Sequence, residues 1–107
     1  MPAVARGAAK DAVSTNHGCQ GMTRTAGLSN NVFVNNNSGG AGIHRKTDAN
    51  VVHSFPVPGG CAPHSTVISS GSGTVFANNL GVADVGDAYT GGETVATGSP
   101  NVFTHGS

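Results

Sequence analysis

The side chains most able to do chemistry lie in one short stretch, His53 to His64, HSFPVPGGCAPH. Two imidazoles and a thiol (His53, Cys61, His64) sit there among prolines that restrict the backbone and glycines that let it turn back on itself. These are the donors and the local geometry of a metal clamp. Cys-x-x-His is a common zinc-ligand spacing, although unrelated loops use it too. A second pair, His17 and Cys19, lies in the first part of the chain, and a Cys19–Cys61 disulfide in an oxidising setting is the competing use of the two thiols.

Such a clamp needs elements to position it, and the composition makes those elements small. The chain has 107 residues, 36% hydrophobic and 5% aromatic, with 17 glycines, no tryptophan and only 9% charged residues. A core this poor calls for a metal, a disulfide or a partner to complete the fold. Disordered chains of low hydrophobicity are usually highly charged, and this one carries no net charge. Five scattered Lys and Arg form no basic patch, which argues against nucleic-acid binding. No apolar run approaches the roughly 20 residues that span a bilayer, and MPAVARGAAKDAV has no apolar signal-peptide core, so synthesis in a cytoplasm is expected.

An internal repeat organises the chain. GLSNNVFVNN (27–36), GSGTVFANN (71–79) and GSPNVFTHG (98–106) each place a Val-Phe pair after a Gly/Ser turn. Asp11, Asp48 and Asp87, each followed by Ala, precede these pairs by 21, 27 and 15 positions (to Val32, Val75 and Val102). The third copy is the bare unit. The longer first two contain His17 and Cys19, then His53, Cys61 and His64, whereas AYTGGETVATGSPNVF supplies no ligand of that type. Short strands are expected throughout. TVISSGSGTVFAN and ETVATGSPNVFTH read as hairpins about their Gly/Ser turns, GMTRTAGLSNNVFVN fits the same template, the N-terminus reads as an extended arm, and no helical stripe is present. In each Val-Phe pair one side chain should face inward and the other outward.

Met-Pro-Ala-Val-Ala-Arg at 1–6, Val-Ala-Asp-Val-Gly-Asp at 82–87 and the three Gly-Ser-x-x-Val-Phe-like segments resemble the PAAR-repeat family, whose unit is an Ala-Arg-x-Gly-Asp segment, a loop and a Gly-Ser-x-x-Val hairpin. The likeness runs over essentially the whole chain. It departs from the family at GAAKD (7–11), at Ile43–Asp48, where Pro-Ala-Ala-Arg is lost, and in the long connector 35–42. The resemblance implies one small all-β domain, a cone of three pseudo-three-fold β-hairpin repeats (about 5–37, 43–79 and 82–106) with long loops. It also implies a tip protein, capping the trimeric β-helical central spike of a contractile phage tail or a type VI secretion machine. Such a protein is a monomer on a trimer, sits at the tip of the baseplate, and contacts the target cell envelope transiently. One zinc ion, or iron, would be held by three histidines and a cysteine, which carry over to His17, His53, His64 and Cys61, with Cys19 as the alternative to His17. His44 and His105 are expected to be polar surface residues or to contact the partner at the base. A catalytic role is not expected. A zinc hydrolase needs an open coordination position and a general base, and the only glutamate, Glu93, lies in the copy without ligands. A hydrolase and a free-standing metal-dependent binding module are the remaining alternatives.

Overall fold

The computed structural model describes residues 2–34, 41–100 and 102–104. Most of the polar connector 35–42, including Gly39-Gly40, and His105 lie outside the described residues. The chain is all-β, with no helix among the described residues. Its strands are β1 (Ala12–Ser14), β2 (Met22–Arg24), β3 (Phe33–Val34), β4 (Ala41–Gly42), β5 (His53–Val57), β6 (Gly60–His64), β7 (Phe76–Ala77), β8 (Leu80–Gly81) and β9 (Thr94–Val95). β1 is the centre of a three-stranded antiparallel sheet, in which Val13 lies opposite Thr23 on β2 and Val95 on β9. The other six strands form three two-stranded ribbons, β3–β4, β5–β6 and β7–β8.

Ribbons this short cannot bury a face alone, and single bridges stitch them together. Arg6 pairs with Ile43, Arg45 with Val82 and Val4 with Asp84, so the N-terminal arm is extended through Arg6, whereas the stretch 7–10, expected to continue it, is a turn with Ala8 and Ala9 at φ 54° and 61°. At the centre three backbone bonds close a ring. His44 N–H donates to Ala5 O (3.1 Å), Ala5 N–H to Ala83 O (2.8 Å) and Ala83 N–H to His44 O (2.9 Å). A second set recurs in the same frame, with the amides of Val4, Ile43 and Val82 donating to the carbonyls of Val102, Val32 and Val75.

The Gly/Ser segments are not the hairpin turns that their sequence suggests. The hydroxyls of Ser29, Ser72 and Ser99 instead accept from the amides of Val32, Val75 and Val102, at 3.0, 3.0 and 3.1 Å. This side-chain bond to the amide three residues on bends the chain before each Val-Phe pair. In the first two copies the reversal comes after the pair, between β3 and β4 and between β7 and β8. Asn78 and Asn79, at φ 54° and 66°, join β7 to β8 in the left-handed conformation that two-residue hairpin turns demand and asparagine tolerates. The expected alternation is also displaced by one residue. Phe33, Phe76 and Phe103 are 51%, 58% and 47% exposed and their Val partners are partly exposed, while Val34, Ala77 and Thr104 turn inward.

Two small clusters form the core: Val4, Val34, Ile43, Ala77 and Val82 in one, and Ala5, Val13, Ile68, Ala83, Tyr89 and Val95 in the other. Much of the remaining interior is polar and paired. His44, expected at the surface, is fully buried. Its Nδ1–H donates to Gly27 O and its Nε2 accepts from the Tyr89 hydroxyl, both at 2.7 Å; burial holds its pKa below the usual histidine range. Buried Asp11 accepts from the Arg6 amide and guanidinium, and Asp48 does the same with Arg45.

In the third position Asp84 replaces the arginine. Its amide still donates to Asp87 (2.8 Å), but the cation is replaced by a second acid. One oxygen of Asp84 is buried without a hydrogen-bond partner among the described residues. Burial pushes the Asp87 carboxyl up to about 6, reinforced by the Asp84 charge and opposed by the Asp84 amide. The folded chain therefore holds this proton more tightly than the unfolded chain does. The resulting stabilisation is greatest below about pH 4 and disappears as pH rises through about 6. Asp87→Asn is expected to flatten stability over that interval in denaturant titrations; an undiminished slope would mean that another group carries it.

Candidate metal centre

The stretch from His53 to His64 is a hairpin with five paired positions. β5 and β6 pair from His53 opposite His64 to Val57 opposite Gly60. Pro58-Gly59 makes the turn, with Gly59 at φ 89°, where proline presets the first corner and only glycine takes the second without strain. Strand alternation puts His53, Phe55, Ala62 and His64 on one face and Ser54, Pro56, Cys61 and Pro63 on the other. The His64 ring stacks on Phe55 at 4.1 Å between centroids.

Three histidines and one carboxylate converge on this face. The donor atoms of His17, His53, His64 and Glu93 all lie within 4.8 Å of one another. Glu93 Oε2 is 2.8 Å from His53 Nε2, 2.7 Å from His64 Nε2 and 3.4 Å from His17 Nε2, and the Nε2 atoms of His53 and His64 are 2.9 Å apart. The tautomers follow from the outer nitrogens. His53 Nδ1 lies 2.9 Å from Val51 O and His17 Nδ1 2.9 Å from Gly18 O. A carbonyl only accepts, so both Nδ1 atoms carry a hydrogen, and the Nε2 atoms are the ones turned to the carboxylate, donating to it when protonated and free to bind a metal ion when not. Three Nε2 atoms and a carboxylate oxygen turned toward one another are a donor set suited to a metal ion. A carbonyl on the outer nitrogen is also the usual way of orienting a metal-bound imidazole.

Glu93 is fully buried and braced from behind. Thr66 Oγ1 donates to its Oε1 (2.9 Å). Asn50 locks Thr66 by donating from Nδ2 to Thr66 Oγ1 and accepting from the Thr66 amide, both at 2.9 Å. Gly91 is required there, because a Cβ would sit 2.6 Å from Glu93 Oε1 and 2.7 Å from Thr66 Cγ2. Burial pushes the Glu93 carboxyl up, but its own backbone amide, His53, Thr66 and His64 together outweigh burial and hold it at about 2. It is an anion at neutral pH.

The cluster can hold a metal ion. Donors on a tetrahedral ion at about 2.0–2.1 Å lie roughly 3.4 Å apart, so the separations of 2.7–3.4 Å around Glu93 would open slightly and the widest in the set, within 4.8 Å, would close.

Of the four ligands expected from sequence, His17, His53 and His64 come together and Cys61 does not. Cys61 is exposed on the other face of the hairpin and is disulfide-bonded to Cys19, 42 positions away. The reason is local: a Cys-x-x-His spacing in a strand puts its two side chains on opposite faces. Glu93 takes the fourth place, correcting the reading of the third copy as ligand-free. Its signal was present, since Glu93 follows Asp87 by six positions as His17 follows Asp11, and His53 follows Asp48 by five. No protein-family model and no curated protein matches the chain.

Proposed function

We propose that this chain is the tip of a contractile-tail central spike, with a structural metal at its apex. The observation that carries the reading is the set of three exposed Val-Phe pairs, each introduced by the same serine-to-amide bond. With the closed ring of Ala5, His44 and Ala83, they are best explained as three copies of one unit around an axis, forming a small cone. A surface presenting the same apolar pair three times suits the blunt end of a trimeric β-helical spike. Large exposed apolar groups of this kind mark interaction sites on soluble chains. The chain would then be a monomer on a trimer at the tip of a phage baseplate, capping the spike and meeting the cell envelope as the tail contracts; a type VI secretion spike is the alternative host for the same tip.

Zinc is the first candidate for the metal, with iron compatible with the same imidazole and carboxylate donors. Four protein donors fill a tetrahedral site, which favours a structural ion over a hydrolytic one. Structural zinc contributes on the order of 10–16 kcal/mol in small metal-dependent domains, enough to keep a nearly core-less point folded under load.

The test is co-expression with a trimeric β-helical spike, with the mass of the complex read by light scattering. One copy of this chain per trimer is expected. A triple Phe33→Asp, Phe76→Asp, Phe103→Asp variant should stay folded by circular dichroism and lose the complex. A complex that survives the triple substitution would remove this face from the interface.

A further inference from the structure

We propose that the Cys19–Cys61 disulfide is a redox fastener for the metal centre, holding His17 in the donor set, and that its reduction by a dithiol releases that histidine. The inference rests on the metal reading above and concerns its regulation.

The three histidines are held very differently. His53 is buried, fixed by the β5–β6 register and bonded through Nδ1 to Val51 O. His64 lies directly opposite it and stacks on Phe55. His17 belongs to the loop from Thr15 to Gly21, in which Asn16 and every residue from Gly18 to Gly21 are exposed. Its Nδ1 bonds only to Gly18 O within that same loop, and its contact with Glu93 is the longest of the three. The root of the loop is anchored, with Asn16 Nδ2 donating to Gly92 O at 3.0 Å and to Thr94 Oγ1 at 3.3 Å. Among the described residues its outer part meets the hairpin through one exposed hydrogen bond, from the Ser54 amide to Gln20 Oε1 (3.1 Å), through the His17 ring, which stacks on His53 at 5.3 Å and meets His64 and Phe55 edge-on, and through the disulfide, the one covalent tie. Asn16 and Cys19 also sit at φ 59° and 73°, a region that a cysteine rarely adopts unless its surroundings impose it.

The disulfide lies on the outer face of the hairpin and the metal donors on the inner face, so the loop wraps the edge and is clipped from behind. Both cysteines are exposed, within reach of a small dithiol. In the exchange a dithiol thiolate attacks one sulfur of the Cys19–Cys61 bond and forms a mixed disulfide. Its second thiol then displaces the remaining protein sulfur. The dithiol leaves as its own cyclic disulfide, two electrons pass to the protein, and both cysteines end as thiols. The loop can then leave its left-handed turn, and His17 is withdrawn from a site still held by His53, His64 and Glu93. Four-donor binding thus belongs to the oxidised chain.

The experiment is a zinc titration of the full chain against a chromophoric chelator, under anaerobic conditions, oxidised and after reduction with a dithiol that is then removed. Affinity is expected to fall at least about tenfold on reduction. A Cys19→Ser, Cys61→Ser variant should match the reduced chain. In His17→Ala, with the disulfide intact, affinity should already be low, and reduction should change it by less than about twofold, because the donor that the disulfide controls is gone. Equal affinities of the oxidised and reduced wild type would overturn the fastener and leave the metal site standing. Tighter binding by the reduced chain would overturn it as well, by showing a thiolate recruited as a ligand. Absence of zinc binding in both forms would overturn the metal reading and the fastener together. Loss of zinc accompanied by loss of the far-ultraviolet circular dichroism would replace the fastener with global unfolding.

Discussion

Glu93→Ala is expected to abolish stoichiometric zinc binding and, in the metal-free chain, to cost about 3–5 kcal/mol of stability, the usual penalty for removing one partner from a buried charged group. The carboxylate is fully buried, touches three imidazoles through one oxygen, and accepts from Thr66 through the other. Its loss leaves imidazole nitrogens facing one another without an anion and a threonine hydroxyl without its acceptor. Glu93→Gln separates charge from volume: it should retain the Thr66 bond and most of the shape yet bind zinc weakly. Elemental mass spectrometry of untagged protein gives the metal content, and denaturant titration in chelator gives the stability. One zinc per chain at unchanged affinity in Glu93→Ala would exclude the carboxylate as a ligand. The native carboxylate also has a signature in acid. Its pKa of about 2 lies below the ordinary value of 4.5, so its stabilisation is complete above about pH 4.5 and is lost as pH falls toward 2. That is the opposite sign to Asp87, whose contribution fades as pH rises.

Reduction of Cys19–Cys61 is the second large effect. Closing a loop with a sequence separation of 42 restricts the unfolded chain by about 4 kcal/mol in the chain-entropy description. For a domain of this size that corresponds to a fall of about 15–30 °C in the thermal midpoint. The cross-link matters more here than in a chain with a larger core, because the two apolar clusters contain five and six residues, mostly alanine and valine. Thermal melts of the oxidised and reduced chains in excess chelator isolate the disulfide from the metal. Midpoints within about 3 °C of each other would show that the reduced chain already holds the loop closed. Cys61, expected from the sequence to be a metal ligand, is cross-linked instead, and the cross-link and the donors able to hold a metal occupy opposite faces of one hairpin.

What the sequence determined by itself was whatever the backbone decides within a few residues. Glycine and asparagine at the turns, Pro58-Gly59 at the hairpin and the lack of a helical stripe already specify an all-β chain of short strands. The Asp-anchored loops already place His17 and His53 at matching positions, and the prolines and glycines after His53 already let that stretch turn back on itself. Only the tertiary structure decided which side chains meet. Cys61 shares a segment with His64, but pleat parity turns it to the other face, and no local propensity chooses its partner, Cys19. Glu93 reaches the cluster from a loop far along the chain, once β1 has paired Val13 with Val95. His44 reads as a surface residue beside Arg45 and Lys46, and is buried because its backbone closes the ring with Ala5 and Ala83. Turn chemistry acts over three or four positions. Ligand sets and cross-links depend on how distant segments close on one another, and in a chain with so small a core that closure is shared among hydrogen bonds, a disulfide and convergent donors.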